Sequence, residues 1–458
     1  MGEPLSLRMG FVRRLEVAFY FPWPFVAFVL FWLACALDRA VPVPLPFPRH
    51  PRALAKKRAW VERTLKLAQA LPPDATITGC TVTPFKEGEV FRSTLAILDL
   101  TYTTPGAGPR TLLVVAKFAA QFGSVTEQVI SIFQRNALNE TQLARALGMG
   151  TVPGGASSAT MPRCYYARAA GLAGQFCELF ERIAPVFQIE EETGADLPTA
   201  RAVMRLFARH HAAHWRPDER APRAKVPMKV PGLAIDFLCS LAWGRHRKIL
   251  RRIARAAWHY GNRAQTIVHG DARVRNVLFQ GTSDPSRPLL IDWQATRWGL
   301  GVYDVAYFLL LSLPSELRDA HERELVELYH QELVAHGVAD YDRDVLWEDY
   351  RHSFMLVTSL LFLPLLGGEQ TLDERNRAAA TSIAVCWHAR VVHALGTFGR
   401  DWVTAHYATD VERFVVSSEW IANHPHPWNS GARLVADELR RRARQTEQAG
   451  REKASESD

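Results

Sequence analysis

The chain has 458 residues and a formal net charge of +8, and hydrophobic and charged residues make up 48% and 22% of it. This composition is typical of a globular protein with two or three domains, or with one two-lobed unit, and unlike that of a disordered chain. Nine Lys and Arg but only three Asp and Glu lie in residues 1–60, and the remainder is close to neutral, so the sequence gives no support for a nucleic-acid partner. The six cysteines are far apart and form no CxxC pair, which argues against a disulfide framework or a zinc site and fits a reducing compartment.

An uncharged apolar stretch of 21 residues, Val17–Leu37, follows a basic N-terminus. At about 1.5 Å per helical residue it would extend about 31 Å, roughly one hydrocarbon core, so we expect a membrane anchor. Pro22 and Pro24 interrupt the stretch, and the remainder of about 21 Å could enter a bilayer without crossing it. Two alternatives stay open: a signal peptide cleaved at the sequence ACA (34–36), and a buried N-terminal helix.

Charges on either side of this stretch set its expected orientation. Six Lys and Arg follow it up to Arg58, against three that precede it. By the positive-inside rule the C-terminal bulk of the chain would then be cytoplasmic. The segment PVPLPFPRHP (42–51) would be a semi-rigid linker that holds this bulk just off the bilayer.

After residue 58 the hydrophobic pattern predicts a β-rich lobe with one helix, followed by a larger helical lobe. Helical spacing is seen in AWVERTLKLAQAL (59–71) and QVISIFQRNALNETQLARAL (128–147). Strands are predicted at 75–85, 90–102, 111–118, 161–169 and 174–183. From about residue 197 onward helices dominate. The predicted domains are a membrane segment with its linker (1–58), an N-lobe (59–180), a C-lobe (181–430) and a charged tail (431–458).

A basic and an acidic residue in the β-rich region together fit ATP binding. Lys117 ends the third predicted strand, and Glu140 lies in the helix that follows. A Lys that holds the α- and β-phosphates of ATP needs an opposing carboxylate to keep it extended. Each residue alone would be interpreted as a surface residue. A second motif further along the chain supports the interpretation of the pair as ATP-binding residues.

That second motif is IVHGDARVRNVLF (267–279), which is followed by the strand-like segment LLIDWQ. Asp271 is predicted to accept or orient the proton of an attacking hydroxyl group. Asn276 and Asp292, the latter expected on a strand, supply hard oxygen ligands suited to Mg²⁺. His269 is expected to brace the loop by hydrogen bonds. Phosphoryl transfer needs mainly positioning and charge neutralisation, so the motif indicates a phosphotransferase site.

At these residues the sequence resembles the aminoglycoside phosphotransferase and choline kinase-like group, and most closely its ecdysteroid-kinase-like branch. HGDARVRN matches the HGD…N loop of that group, and IDWQ matches its metal-binding motif. VVAKF and ALNETQLARAL match its Lys strand and Glu helix, and LFARHHAAHW (206–215) resembles a further helix. Over about residues 60–430 the resemblance implies an α+β, bilobal, protein-kinase-like fold, ATP and Mg²⁺ as cofactors, and a small-molecule hydroxyl as acceptor.

The resemblance also indicates where the nucleotide would bind. The loop EGEVFRST (87–94) has a single glycine, Gly88, so Ser93 is its best polar candidate. The segment CELFER (177–182), which includes Glu178, lies where the hinge would contact adenine through backbone groups.

Three further residues receive structural interpretations. His210 and His214 have the i, i+4 spacing of zinc ligands, but no HExxH pattern accompanies them, and the helix of the family explains them. Asp304 lies at the start of an apolar helix, so we expect it to cap this helix and to brace the loop.

These observations favour a membrane-tethered, ATP-dependent kinase of a small molecule. The apolar segment favours a hydrophobic acceptor such as a sterol or lipid. Two rivals stay open: a membrane-anchored pseudokinase or binding scaffold on the same fold, which the poor nucleotide loop favours, and an exported protein. The intact set of functional residues argues against the scaffold. This set is Lys117, Glu140, Asp271, Asn276 and Asp292.

Overall fold

The protein, seen in a computed structural model, is described over residues 45–85, 93–119, 160–170, 175–215, 265–361, 374–397, 402, 405–406 and 441. These residues fall into two compact units. The first lies within Met1–Thr141 and Tyr165–Phe180, and the second lies within Gln142–Cys164 and Glu181–Asp458.

The first unit combines two short helices with a five-stranded sheet. Its elements are α1 (Pro51–Ala55), α2 (Arg58–Leu67), β1 (Thr76–Pro84), β2 (Ser93–Thr103), β3 (Arg110–Ala119), β4 (Cys164–Ala170) and β5 (Gln175–Glu181). The strand order is β1-β2-β3-β5-β4, and β2 is antiparallel to both β1 and β3. The five predicted strands and the helix predicted at 59–71 are confirmed, with small differences at their ends.

One face of this sheet packs against the two helices. The buried side chains of this face and of the helices are Ala116, Phe118, Val114, Leu98, Leu100, Leu54, Val61, Leu65, Cys177 and Leu179. Successive side chains of a strand point to opposite faces, so Lys117 on β3 and Glu178 on β5 lie on the other face. Because β3 and β5 are neighbours, these two buried polar residues share one face on adjacent strands.

The second unit is mainly helical. Its elements are β6 (Val186–Phe187), α3 (Leu197–Ala213), β7 (Thr266–Val268), β8 (Val277–Gln280), β9 (Pro288–Leu290), β10 (Arg297–Gly299), α4 (Val302–Ser312), α5 (Ser315–Ala335), α6 (Arg343–Leu361) and α7 (Glu374–Thr397). The short strands form two small antiparallel sheets, with the orders β6-β8-β9 and β10-β7.

Helix α4 lies in the core of this unit. All of its residues except Tyr307 are buried, and it contacts α3, α5, α6 and α7. A helix that is apolar on nearly every side is expected to be buried in this way. The predicted core helix at 353–366 is confirmed up to Leu361, where α6 ends, since Phe354–Val357 are buried.

Several predictions fall on residues that the structure does not describe. They concern the apolar segment 17–37, the helix 128–147 with Glu140, the loop residues 87–92 and nearly all of the tail 431–458. Among the helices of the described ranges, none combines the length and the apolar character needed to cross a membrane. The domain boundaries stay predictions, while the β-rich unit and the helical unit fit the expected α+β, kinase-like fold.

Candidate active site

The loop between β7 and β8 turns sharply at Gly270. This residue has a φ of +84°, a conformation that L side chains rarely adopt. A Cβ atom at this position would lie 2.2 Å from the carbonyl oxygen of Ala295. Only glycine can therefore follow His269 here and precede Asp271 without displacing the neighbouring backbone.

A buried carboxylate, that of Asp304 on α4, fixes the backbone of the loop. Its Oδ2 accepts a hydrogen bond from the backbone N–H of His269 (2.6 Å), and its Oδ1 accepts one from the backbone N–H of Gly270 (2.9 Å). The Nε2 atom of His211 lies 3.2 Å from Oδ2. Burial raises the pKa of Asp304, but these contacts outweigh it and hold the pKa below its usual value. The bracing role is confirmed, whereas the capping role is wrong because the helix is preceded by Gly301 at its N-cap.

His269 braces the same loop with both ring nitrogens. Its Nε2 donates to the carbonyl oxygen of Ile291 (2.8 Å), so Nδ1 is the acceptor atom of the neutral ring. Nδ1 then accepts from the backbone N–H of Asp271 (3.3 Å). The side chain is fully buried, which agrees with the predicted bracing role.

Asp271, the predicted catalytic carboxylate, is held in place and still reaches solvent. Its Oδ1 accepts from the hydroxyl of Tyr307 (2.9 Å), and its Oδ2 accepts from Nδ2 of Asn276 (3.1 Å). Burial and the charge of Asp271 raise the pKa of Tyr307 well above its usual value, so this hydroxyl stays protonated and donates. The Asp271 side chain is 31% exposed, which leaves it accessible to a substrate.

The amide of Asn276 has a fixed orientation. Its Nδ2 donates to both the backbone oxygen (2.7 Å) and the Oδ2 atom (3.1 Å) of Asp271. Both amide hydrogens are thus directed at Asp271, and the amide oxygen is the atom that remains to serve as a metal ligand. This orientation fits the predicted magnesium role.

Asp292 is connected to the loop through the backbone of its neighbour. The N–H of Ile291 donates to the carbonyl oxygen of Asn276 (2.9 Å), and the carbonyl of Ile291 accepts from His269. The prediction that Asp292 lies on a strand is wrong, because β9 ends at Leu290 and Asp292 has left-handed φ and ψ angles of 65° and 62°. A strand cannot continue through that conformation, which costs a non-glycine residue about 1 kcal/mol or more. Carboxylate and amide oxygens are ligands that Mg²⁺ prefers, so Asp292 and Asn276 are a suitable donor pair.

Arg273 places a positive charge beside the two acids of the site. Its guanidinium lies 3.6 Å from Asp271 and 3.4 Å from the buried Glu191, which also accepts from the indole N–H of Trp387 (3.3 Å). Burial opposes the charge of Arg273, but Asp271, Glu191 and Asp292 outweigh it and raise the pKa of Arg273. Burial also raises the pKa of Glu191, against the lowering effect of Arg273.

The sequence did not reveal three of these neighbours. Glu191 and Trp387 are far from the loop in sequence, and no spacing rule connects them with it. Tyr307 could have been found, since it follows Asp304 by three residues on the same helix and therefore lies on the same side of it.

The histidines of α3 serve the scaffold. Nε2 of His210 pairs with the carbonyl of Ile267 (3.0 Å), and Nδ1 of His211 pairs with the hydroxyl of Tyr329 (2.9 Å). These contacts, with the bond from His211 to Asp304, confirm a structural role for His210 and show one for His211. The structural interpretation of His214 stays a prediction. Burial, followed by the charge of His211, lowers the pKa of His214 to about 4, and burial lowers the pKa of His210 well below its usual value.

The remaining predicted site residues belong to the first unit or lie outside the described residues. Ser93 begins β2 opposite Ala119 of β3, and Lys117 and Glu178 are buried on the face described above. Glu140 lies outside the described residues. The nucleotide-binding roles of these four residues stay predictions.

Part of the chain, including the motif loop, matches a known protein family. Residues 243–338 match the sequence model of the Ecdysteroid kinase-like family. The resemblance to this family is confirmed. The matched range includes the whole motif loop, Asp292 and Asp304. No curated protein sequence matches the chain.

Several solved structures align with most of the chain at low sequence identity. A Ralstonia eutropha JMP134 protein described as an aminoglycoside phosphotransferase is 14% identical over 72% of this chain and 97% of its own, with a TM-score of 0.44. The GDP complex of aminoglycoside 2'-phosphotransferase-IIIa is 14% identical over 72% and 97%, with a TM-score of 0.39. A microcompartment-associated aminopropanol kinase is 12% identical over 73% and 98%, with a TM-score of 0.36. At these TM-scores the likeness carries no conclusion about the chemistry of this chain.

Replacing Gly270 by Ala should destabilise the protein more than the same change at Gly337. Both glycines have positive φ angles, +84° and +94°, but a Cβ at Gly337 meets nothing within 4 Å. We expect about 1–2 kcal/mol of strain for Gly337→Ala, and about 3–5 kcal/mol for Gly270→Ala because the clash with Ala295 adds to the strain. Urea unfolding of the two variants measures the difference. Equal losses would show that the loop yields easily to an added methyl group.

The free energy of unfolding should fall as the pH drops from about 6.5 to about 4. In this window the unfolded chain binds a proton at His214, while the folded chain, with a pKa of about 4, does not. The expected slope is about 1.4 kcal/mol per pH unit for each such histidine. His214→Gln should make the dependence shallower when urea unfolding is followed at pH 7, 6 and 5. An unchanged slope would show that His214 is not protected from protonation in the folded protein.

Proposed function

We propose that the chain is a phosphotransferase that moves the γ-phosphoryl group of ATP to a hydroxyl group of a small molecule. The observation that carries the proposal is the ordered but accessible carboxylate of Asp271. It is held by Tyr307 and Asn276 and is 31% exposed. Asp292 directly follows Ile291, whose backbone is hydrogen-bonded to Asn276 and His269 of the same loop. The resemblance to the Ecdysteroid kinase-like family supports the same reaction class.

In this reaction Asp271 accepts or orients the proton of the acceptor hydroxyl. Asn276 and Asp292 hold Mg²⁺, which when bound neutralises charge on the phosphates. Arg273 offsets the repulsion among the nearby acids, because its guanidinium is 3.6 Å from Asp271 and its pKa is also raised by Asp292. Lys117, opposed by Glu140, holds the nucleotide phosphates, with Ser93 and the segment around Glu178 as further nucleotide contacts.

The acceptor in this proposal is a hydrophobic alcohol such as a sterol or a lipid. Its support is the uncharged stretch of 21 residues at 17–37, which would bring the protein to a bilayer where such alcohols partition. The catalytic unit would then lie at the membrane on its cytoplasmic side, where ATP is available. The basic excess after the segment supports this orientation.

A second candidate function is a membrane-anchored binding scaffold without catalysis. One observation favours it: the loop 87–94 contains a single glycine, Gly88, so it lacks the glycine-rich sequence that cradles phosphate in many nucleotide sites. The chain contains every residue type that phosphoryl transfer needs, and this argues against a scaffold without catalysis.

Binding of Mg²⁺-ATP should raise the unfolding temperature of the wild-type chain in detergent but not that of Asp292→Asn. At a ligand concentration near 100 Kd the stabilisation is about 2.7 kcal/mol, which a thermal shift detects. Asp284→Asn is the matched control, since Asp284 is an exposed acid whose two carboxylate oxygens accept hydrogen bonds from Ser286, two residues further along the same turn. A wild-type protein that shows no shift would remove the support for the kinase and favour the scaffold.

Asp271→Asn should lower kcat by about 10²–10⁴-fold, because the amide cannot take a proton from the acceptor. The thermal shift with Mg²⁺-ATP should persist in this variant. Phosphate transfer from labelled ATP is measured with a sterol, a long-chain alcohol, choline and an aminoglycoside as acceptors. Transfer to choline or the aminoglycoside alone would support the proposed phosphotransferase reaction and reject a hydrophobic alcohol as its acceptor.

A further inference from the structure

Three side chains outside the motif loop come together beside α6. Glu348 and His352 lie on α6, one helical turn apart, and His406 approaches them from a later part of the chain. One ligand atom from each residue lies within 4.8 Å of the other two. Among the residues that the structure describes, they form the one group of three His, Cys, Asp or Glu side chains that meets this distance.

The residue types and their spacing fit a zinc ion. Residues four apart on a helix lie on the same side of it, so Glu348 and His352 can bind one ion together. Two imidazoles and one carboxylate form a recurrent zinc ligand set. Ligand atoms in tetrahedral coordination, with bonds of about 2.0–2.1 Å, are about 3.3 Å apart. The ligand atoms, which lie within 4.8 Å of one another, would have to approach by at most about 1.5 Å to reach this spacing.

Trp402 orients two of the three ligands. Nδ1 of His406 donates to the carbonyl oxygen of Trp402 (2.9 Å), which leaves Nε2 as the ring nitrogen with the lone pair. A metal-bound histidine typically donates its second N–H to a carbonyl or carboxylate in this way. The indole N–H of Trp402 also donates to Oε2 of Glu348 (3.0 Å).

The cluster is closed on one side and open on the other. The Trp402 ring stacks on His406, with 4.4 Å between ring centroids, and lies 5.1 Å from the ring of His352. His352 is buried, whereas the Glu348 side chain is 45% exposed and His406 is exposed. An ion could therefore enter from solvent without unfolding the helix.

We propose that Glu348, His352 and His406 bind a divalent cation of the zinc type, at a site that shares no residue with the motif loop. The bound ion joins α6 to Trp402 and His406, which come later in the chain. Metal binding at these three residues can be measured without any assay of phosphate transfer, so it is tested separately from the proposed phosphotransferase activity.

Arg351 would compete with this ion for the carboxylate of Glu348. Its guanidinium lies 3.2 Å from Oε1 of Glu348 and 5.0 Å from the ring centre of Trp402. A cation at the site must compete with this positive charge for the same carboxylate. Removal of the arginine charge should therefore tighten metal binding. If only ion pairing and ring stacking hold the cluster together, the same change should leave the affinity for the metal unchanged.

The test is a titration of the chelator-treated full chain with Zn²⁺ by calorimetry, repeated with Co²⁺ by visible absorption. We expect one specific ion per chain, at least tenfold weaker binding in His406→Gln and in Glu348→Gln, and tighter binding in Arg351→Gln. His406 and Glu348 are exposed, so these changes should leave the fold intact, as circular dichroism will check.

His321→Gln is the matched control. His321 is a surface imidazole 2.8 Å from Glu324, three residues away on α5, so it has a carboxylate neighbour, but within the described ranges it belongs to no group of three potential ligands. Its removal should leave the affinity for Zn²⁺ unchanged. Absence of a specific ion, or equal binding in wild type, His406→Gln and Glu348→Gln, would overturn the proposal. Arg351→Gln with unchanged affinity would overturn the placement of the ion at Glu348.

Discussion

The candidate active site depends on one buried carboxylate. Asp304 accepts two backbone N–H groups of the loop, from His269 and Gly270, and contacts His211 on a third side. A buried carboxylate is stable only when such partners are present, since an unpaired buried charge costs several kcal/mol. If the loop moved away, the buried carboxylate would lose two of these three partners and keep only His211, so the carboxylate and the loop hold each other in one conformation.

Helix α4, which carries Asp304, positions the side chain of Asp271, the proposed catalytic group, as well as the backbone of the loop. Tyr307 lies one turn further along α4, and its hydroxyl donates to Asp271. The rest of α4 is buried among four other helices, so it cannot tilt without disturbing the core. The position of Asp271 is thus determined by the packing of the helical unit, which is how rigid elements give a site its precision.

Local patterns in the sequence predicted the elements and the motif, because both depend on residues that are close along the chain. The alternation in β2 follows from one buried face, and the HGD…N spacing follows from one short loop. Contacts that join distant segments left no such pattern. Glu191 and Trp387 reach Arg273 only through folding. Asp292 was misplaced because the apolar residues before it indicate a strand, while its left-handed conformation depends on bonds that Ile291 makes to the loop.

The distribution of hydrogen bonds also decides which residue of the motif can handle a proton. His269 has the side chain most often used for proton transfer, yet its Nε2 is bonded to Ile291 and its Nδ1 to the backbone of Asp271. Protonation of Nδ1 would place a second donor against that N–H and break the turn. Asp271 accepts from two fixed donors, and a carboxylate with about four lone-pair sites retains capacity for a further hydrogen. The accessible carboxylate, and not the buried imidazole, is therefore the group that can take part in a proton transfer while the loop stays intact.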